Sequence, residues 1–435
     1  MEKPDRSGVI MDNASQSPAG LETSEPALRC QILIIGGGAG GISVAASLKR
    51  RRPELDIALV EPSERHFYQP GWTLVGAGVM SSAATERQEA GLIPKGVRWL
   101  KTAASAFLPE TNRVRLADGR VVVYDYLVAC PGLKLDWAKI EGLTQTLGRN
   151  GVCSNYSFET APYTHECVKT FSGGTAVFTQ PPMPIKCAGA PQKALYLTAD
   201  YLRRHNRLAG ANLEFCLAGD VLFGVPFFVP PLQKKVDEYG IKLNFKHNLI
   251  AVDGASKKAT FAVVDKDGKS TEKTIAFDML HVVPPQAPID AVRDSALVNA
   301  AGWIDVDPGT LRHTRFANIF GIGDALGTTN AKTAAAVRMQ VPVVTANLLA
   351  LLEGKSLPKT YDGYGACPLT VAYGKIVLAE FLYGGKVAPS FPFDPRVPSR
   401  FAWFLKTTIM PLLYWHQMLN GYELDIGHHE KQFLA

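Results

Sequence analysis

Apolar and polar positions along this chain fall into blocks that read as strand, turn and helix, and the pattern occurs more than once. Residues 30–35 (CQILII) form an apolar run of strand length. Six small residues, Gly36-Gly37-Gly38-Ala39-Gly40-Gly41, interrupt it, and residues 42–49 (ISVAASLK) resume with helical spacing. A second strand at 57–60 ends in Glu61. Later, residues 175–178, 212–217, 243–247, 259–264 and 274–276 read as strands, with helices at 194–205 and 232–239. A short strand at 318–320 delivers Gly321, Gly323 and Asp324 just before another helix.

Strands alternating with helices predict an α/β fold with two Rossmann-like, dinucleotide-binding-type domains and a C-terminal amphipathic helical segment. The expected division is a disordered tail at 1–28 and a first dinucleotide-binding part at 29–165. A second Rossmann-like domain follows at 166–282, the rest of the first domain at 283–375, and a membrane-facing segment at 376–435.

The glycines at 36, 38 and 41 fit G-x-G-x-x-G between a strand and a helix. Gly36 allows the tight turn, Gly38 lets backbone approach a pyrophosphate, and Gly41 lets helix and strand pack closely. The helix then points unpaired N–H groups at the phosphates. Glu61 lies twenty residues after Gly41, where a ribose-binding carboxylate belongs. The distant Gly321-x-Gly323-Asp324 resembles the second cofactor motif of two-dinucleotide-domain flavoproteins, which favours FAD over NAD as the resident dinucleotide. Residues 124–132 (YDYLVACPG) resemble the return crossover of such proteins, with Cys130 in place of the usual threonine.

The second Rossmann-like unit departs from this plan. After its first strand comes TQPPMPIKCAGAP, not a second glycine fingerprint. Pro181, Pro182 and Pro184 fix φ and remove three N–H donors, so a dinucleotide would find neither room nor partners there. The prolines are expected to stiffen a loop that presents Cys187, with Lys186 favouring its thiolate. Another cysteine, Cys367, stands among Gly363, Gly365 and Pro368 on an expected loop. Spacing alone leaves open whether these two thiols meet or are unrelated.

Composition narrows the partners. Net charge is +6 over 435 residues, without a Lys/Arg block, which disfavours nucleic acid and leaves attraction to an anionic membrane open. The seven cysteines contain no C-x-x-C, so no metal site is expected. No eighteen-residue apolar run occurs, so no transmembrane helix is expected, and residues 1–28 lack both a signal-peptide core and an Arg-rich presequence.

Several long segments are similar to sulfide:quinone oxidoreductase, in the branch of the mitochondrial-type enzymes and their bacterial relatives. They are SERHFYQPGWTLVGAG at 63–78, KCAGAPQK at 186–193, KTAAAV at 332–337, YDGYGACPL at 361–369 and PLLYW at 411–415. The resemblance runs from Cys30 to about Tyr422. It implies bound FAD, electron flow from sulfide to a membrane quinone, and Cys187 and Cys367 as the redox pair. Ala39, Gly40, Glu61 and Gln69 match FAD-contacting positions, and Ala104 matches a backbone contact on the adenine side. Asp324, Lys332 and Thr333 match contacts on the pyrophosphate and isoalloxazine sides. Sulfide is expected to attack Cys367, on the glycine-flanked loop, leaving a persulfide there, while Cys187, on the proline-stiffened loop, faces the flavin; the reverse assignment stays open. The sulfur then leaves to sulfide, sulfite, cyanide or glutathione. A third cysteine serves some relatives, and Cys153 lies near that region, but this branch does without it. His66 is expected to make a structural hydrogen bond.

Residues 399–419 read as two short amphipathic helices interrupted by Lys406, Pro411 and His416, with Trp403, Tyr414 and Trp415 suited to a membrane interface. Phe391, Phe393 and Tyr414 are candidates for the quinone pocket, and the apolar stretch 221–232 for a lid or a second membrane contact. These features imply a peripheral protein of the bacterial inner membrane, with the mitochondrial inner membrane as the alternative; oligomeric state stays open. The rival readings are a type II NADH:quinone dehydrogenase, the flavoprotein of a flavocytochrome sulfide dehydrogenase, and a non-catalytic flavoprotein.

Overall fold

The computed structural model describes residues 28–423; most of the expected tail at 1–28 and the last twelve residues lie outside that range. Strand Leu28–Ile35 is the centre of a seven-stranded sheet. It pairs in parallel with Ile57–Val60 on one side and Val121–Ala129 on the other, the latter also carrying Ile319–Gly321. All four residues of Ile57–Val60 are buried, which explains the unbroken apolar run: both faces of this sheet are covered.

A second parallel sheet is built on Gly174–Gln180, flanked by Ala211–Leu217 and Met279–His281. Helix Ala190–Arg204 packs against it. A separate antiparallel sheet holds His247–Asp253, Lys258–Val264 and Ser270–Ala276. The strand expected at 243–247 is thus two: Lys242–Asn244 ends the parallel sheet, and a turn with Lys246 at φ 57° starts the antiparallel one. That left-handed position is what periodicity alone does not report.

Three further expectations are corrected. Gly323–Ala325 is a single 3-10 turn, and the helix that follows begins only at Ala334, capped by the Thr333 hydroxyl. That helix, Ala334–Leu352, is long and apolar enough to cross a membrane, yet it packs on helix Ala39–Arg51 and 56% of its apolar window is buried. Five side chains of the stretch 221–232 belong to the core: Leu222, Phe223, Val225, Phe228 and Leu232 are buried in the second unit, while Val221, Gly224, Pro226 and Pro230 are exposed. Residues 400–416 run through as one helical segment, with α-helical ends and a π-helical middle at Leu405–Ile409. Pro411 has no N–H to return to the preceding turn, and the wider π turn absorbs that loss without breaking the segment.

Candidate active site

The turn between strand Leu28–Ile35 and helix Ala39–Arg51 is shaped by close approach. A Cβ at Gly36, whose φ is +105°, would lie 2.3 Å from the Cys130 carbonyl oxygen, and one at Gly41 would lie 1.8 Å from the Gly36 carbonyl oxygen. Gly38, by contrast, faces open space, with nothing within 4 Å of where its Cβ would stand. The helix start has no side-chain cap, so its first N–H groups keep their capacity for an anion. Cys130 packs on this turn with its Sγ 3.5 Å from the Gly36 carbonyl oxygen, and burial pushes its thiol up. It is a packing residue.

Glu61 accepts hydrogen bonds from the backbone N–H of Gly37 at 2.7 Å and of Ser63 at 2.8 Å. Strand Val97–Leu100 brings Leu100 beside it, and Ala104 opens the next strand. In the second cofactor motif, burial raises the carboxyl of Asp324 despite the nearby Lys186 and Lys332. The Lys332 ammonium donates to the carbonyl oxygens of Asp324 and Leu326 and lies 4.2 Å from the centre of the Trp303 ring. Burial pulls its pKa down to about 8. The open turn, the uncapped helix and the oriented carboxylate suit a dinucleotide.

Cys187 and Cys367 come together. Cys187 sits at φ 49°, in the turn before helix Ala190–Arg204; its N–H donates to the Lys332 carbonyl at 2.9 Å, tying it to the second cofactor segment. Cys367 lies on strand Gly365–Ala372 and is 1% exposed, so its expected placement on an open loop is corrected. Gly365 and Pro368 end up in a hairpin with Lys375–Phe381, where nearly every residue of the strand is buried, and Gly363 lies just before it. The two are free thiols that share a hydrogen bond. Cys367 donates it, and together with Lys193 and Lys406 it holds Cys187 well below the usual thiol range against the effect of burial. Cys367, facing that thiolate in a buried place, is raised well above the usual range.

The cation in contact with the thiolate differs from the expected one, although Lys186 still feels the Cys187 charge. Lys186 turns away: its ammonium donates to Gln69 Oε1 at 2.6 Å and sits over the Trp72 ring. The left-handed backbone at Cys187 sends neighbouring side chains in different directions. Lys193, six residues on along the helix, reaches Cys187 Sγ at 3.2 Å instead. Cys187 and Cys367 keep its ammonium above its ordinary pKa in spite of burial. Lys406, from the π-helical turn of the C-terminal segment, is the second cation; burial and then the Lys193 charge lower it to about 7. The sequence had marked Lys406 only as an interruption. A lone lysine in an amphipathic stretch was the available signal, and only the fold shows that it points inward.

Phe391 and Phe393 stack at 5.5 Å and both meet Phe401 edge-on. Tyr414 lies elsewhere, against Tyr68 and hydrogen-bonded to His66, so the three quinone candidates do not line one pocket. Cys153 is fully buried and shares a hydrogen bond with Cys167, apart from the central pair.

Residues 30–162 match the family model of pyridine nucleotide-disulphide oxidoreductases. The chain is 43% identical to the mitochondrial sulfide:quinone oxidoreductase of Dictyostelium discoideum, covering 94% of this chain and 90% of that one. It is 40% identical to the Mus musculus protein of the same name, over 90% and 87% of the two chains. The solved sulfide:quinone oxidoreductase of Aquifex aeolicus shares the fold, with a TM-score of 0.72 at 18% identity over 91% of this chain and 92% of that one. With such identity along nearly its whole length, and with a paired thiol where a second nucleotide turn would stand, the chain belongs to the sulfide:quinone oxidoreductase family.

Proposed function

We propose that Cys187 and Cys367 are the redox pair through which this sulfide:quinone oxidoreductase takes electrons from sulfide, and that its flavin is FAD. The observation that carries this reading is the meeting of two cysteines 180 residues apart beneath two buried lysines. FAD, when bound, accepts electrons as a pair and yields them to a quinone. The Gly36–Gly41 turn and Glu61 would hold its pyrophosphate and ribose, with Asp324, Lys332 and the start of helix Ala334–Leu352 on the flavin side. Gln69 and Ala104 complete the proposed contacts.

The chain's own residues set the direction of sulfur chemistry. In the oxidised pair, HS⁻ attacks the Cys367 sulfur. The Cys187–Cys367 bond breaks, a persulfide forms at Cys367, and Cys187 leaves as a thiolate. The sulfur with the lower pKa is the better leaving group. Lys193 and Lys406 lower the pKa of Cys187, which replaces the loop argument as the reason for this assignment. The outer persulfide sulfur then passes to a nucleophile such as sulfide, sulfite, cyanide or glutathione.

Quinone reduction requires contact with lipid. Phe401, Phe404 and Leu412 of the C-terminal segment are about half exposed, which gives the helix an apolar face suited to a membrane surface. Phe391 and Phe393, packed against Phe401 of this helix, form the proposed quinone approach. The named relatives are mitochondrial, which favours the mitochondrial inner membrane as the working surface over a bacterial one.

The test is steady-state reduction of a short-chain quinone by sulfide with Cys187→Ser and Cys367→Ser. Both variants should retain flavin and lose turnover. Turnover near the wild-type rate in either would remove the pair from the mechanism.

A further inference from the structure

Beyond the cysteine pair, a buried polar chain runs from the C-terminal segment to the glycine turn. His66 and Glu89 are about 3% and 1% exposed, and Tyr414 is 5% exposed. His66 Nδ1 lies 3.1 Å from Glu89 Oε2, and His66 Nε2 lies 2.6 Å from the Tyr414 hydroxyl. Burial raises the Glu89 carboxyl and the His66 ring opposes that shift; when the carboxylate is ionised it can only accept, so Nδ1–H then donates to Glu89 and Nε2 accepts the Tyr414 O–H.

Glu89 is incomplete at its other oxygen. Oε1 is buried and has no hydrogen-bond partner, although such atoms are nearly always paired. It is aimed at the glycine turn: a Cβ at Gly37 would stand 2.4 Å from Glu89 Oε1 and 2.6 Å from Glu61 Cγ. Two carboxylates therefore flank this turn, and only Glu61 has both oxygens engaged.

The C-terminal segment also touches the helix that follows the turn. A Cβ at Gly421 would lie 2.4 Å from the Ser47 backbone nitrogen, so the two backbones are in close contact. Glu423 accepts a hydrogen bond from the Ser47 hydroxyl at 2.6 Å and pairs with Arg51 at 2.5 Å.

We infer that Glu89, His66 and Tyr414 form a relay that couples occupancy of the dinucleotide turn to seating of the C-terminal apolar segment, with Glu89 Oε1 accepting a hydroxyl of the bound nucleotide. The inference rests on the proposal that FAD occupies this turn. A nucleotide hydroxyl at Oε1 fixes the carboxylate, the carboxylate fixes the imidazole, and the imidazole holds Tyr414. Linkage makes the effect reciprocal: whatever seats the helix tightens the nucleotide by the same factor. These three are positioning residues; none reaches the cysteine pair.

The experiment measures flavin release from purified holoprotein, followed by flavin fluorescence after dilution. In parallel, protease protection of the segment around 400–416 is compared with and without added FAD. Tyr414→Phe removes one oxygen and keeps the ring, and Glu89→Gln keeps the shape. Each should release flavin at least about fivefold faster, the lower end of ordinary coupling. The double variant should release it no faster than the worse single one. FAD should protect the segment in the wild-type protein and not in Tyr414→Phe. Thr408→Ala, at an exposed position of the same helical segment, should leave release unchanged. Wild-type release from Tyr414→Phe, additive effects in the double variant, or equal loss in Thr408→Ala would each overturn the relay. Purified protein without bound flavin would instead overturn the cofactor proposal on which it rests.

Discussion

The two parallel sheets of this protein open onto different turns. After Leu28–Ile35 the chain gives glycine, and the backbone leaves room beside Gly38. After Gly174–Gln180 it gives Pro181, Pro182 and Pro184, and the turn ends in a cysteine held at φ 49°. The scaffold is the same strand, turn and helix. In the first, the helix start keeps free N–H groups for an anion; in the second, helix Ala190–Arg204 carries Lys193 to a thiolate. On the proposed reading, a dinucleotide fold becomes a sulfur site when the turn loses its donors and the helix gains a cation.

The largest effect belongs to the second turn. Cys187→Ser or Cys367→Ser should lower sulfide-dependent quinone reduction on the order of 10³-fold or more, because neither serine can enter the redox cycle. Retained activity would make the contrast between the turns structural only. The first turn should break differently. Gly41→Ala forces a methyl to within 1.8 Å of the Gly36 carbonyl oxygen, so the backbone must move. Purified Gly41→Ala should carry well below one flavin per chain and lose about 2–4 kcal/mol of stability in denaturant titration.

Charge comes next. Lys193→Met should raise the pH midpoint of Cys187 alkylation by about 1–2 pH units, the usual effect of removing an adjacent opposite charge. Lys406→Gln should raise it less. Lys406 has a pKa lowered to about 7, so it is charged below that pH and neutral above it. Its support of the thiolate is present at pH 6 and fades as pH rises through 7. The alkylation rates of wild type and Lys406→Gln should therefore differ at pH 6 and converge by pH 8.5. The smallest effect is the sharpest control: Pro182→Gly should not admit NADH, because Lys193 and the Cys187 turn still fill the site. Reduction of the flavin by NADH in that variant would show that the prolines alone exclude the nucleotide.

Much of this was legible in order along the chain. The glycine turn and Glu61 were readable because backbone close approach demands particular residues at fixed spacing, and strand Ile57–Val60 stood where its apolar run placed it. The missing glycine turn of the second unit was readable from Pro181, Pro182 and Pro184 in its place. The sources of charge were not. Lys186 was the cation adjacent in sequence, and one left-handed residue turned it toward Gln69. Lys193 and Lys406 act across six and more than two hundred residues, so only folding brings them to Cys187. Cys367 looked like a loop residue because Gly365 and Pro368 flank it, but hairpin pairing buried it in a strand. The link of His66 to Glu89 and Tyr414 spans 348 residues on one side and had no local sign.

The central claim is that the cysteine turn receives electrons from sulfide where a nucleotide turn would receive them from NADH. The direct measurement is an anaerobic titration of the purified flavoprotein, following flavin absorbance with sulfide in one sample and NADH in another, then adding a short-chain quinone. The account predicts bleaching by sulfide, no bleaching by NADH, and recovery of the oxidised spectrum with quinone. Bleaching by NADH with no response to sulfide would contradict it.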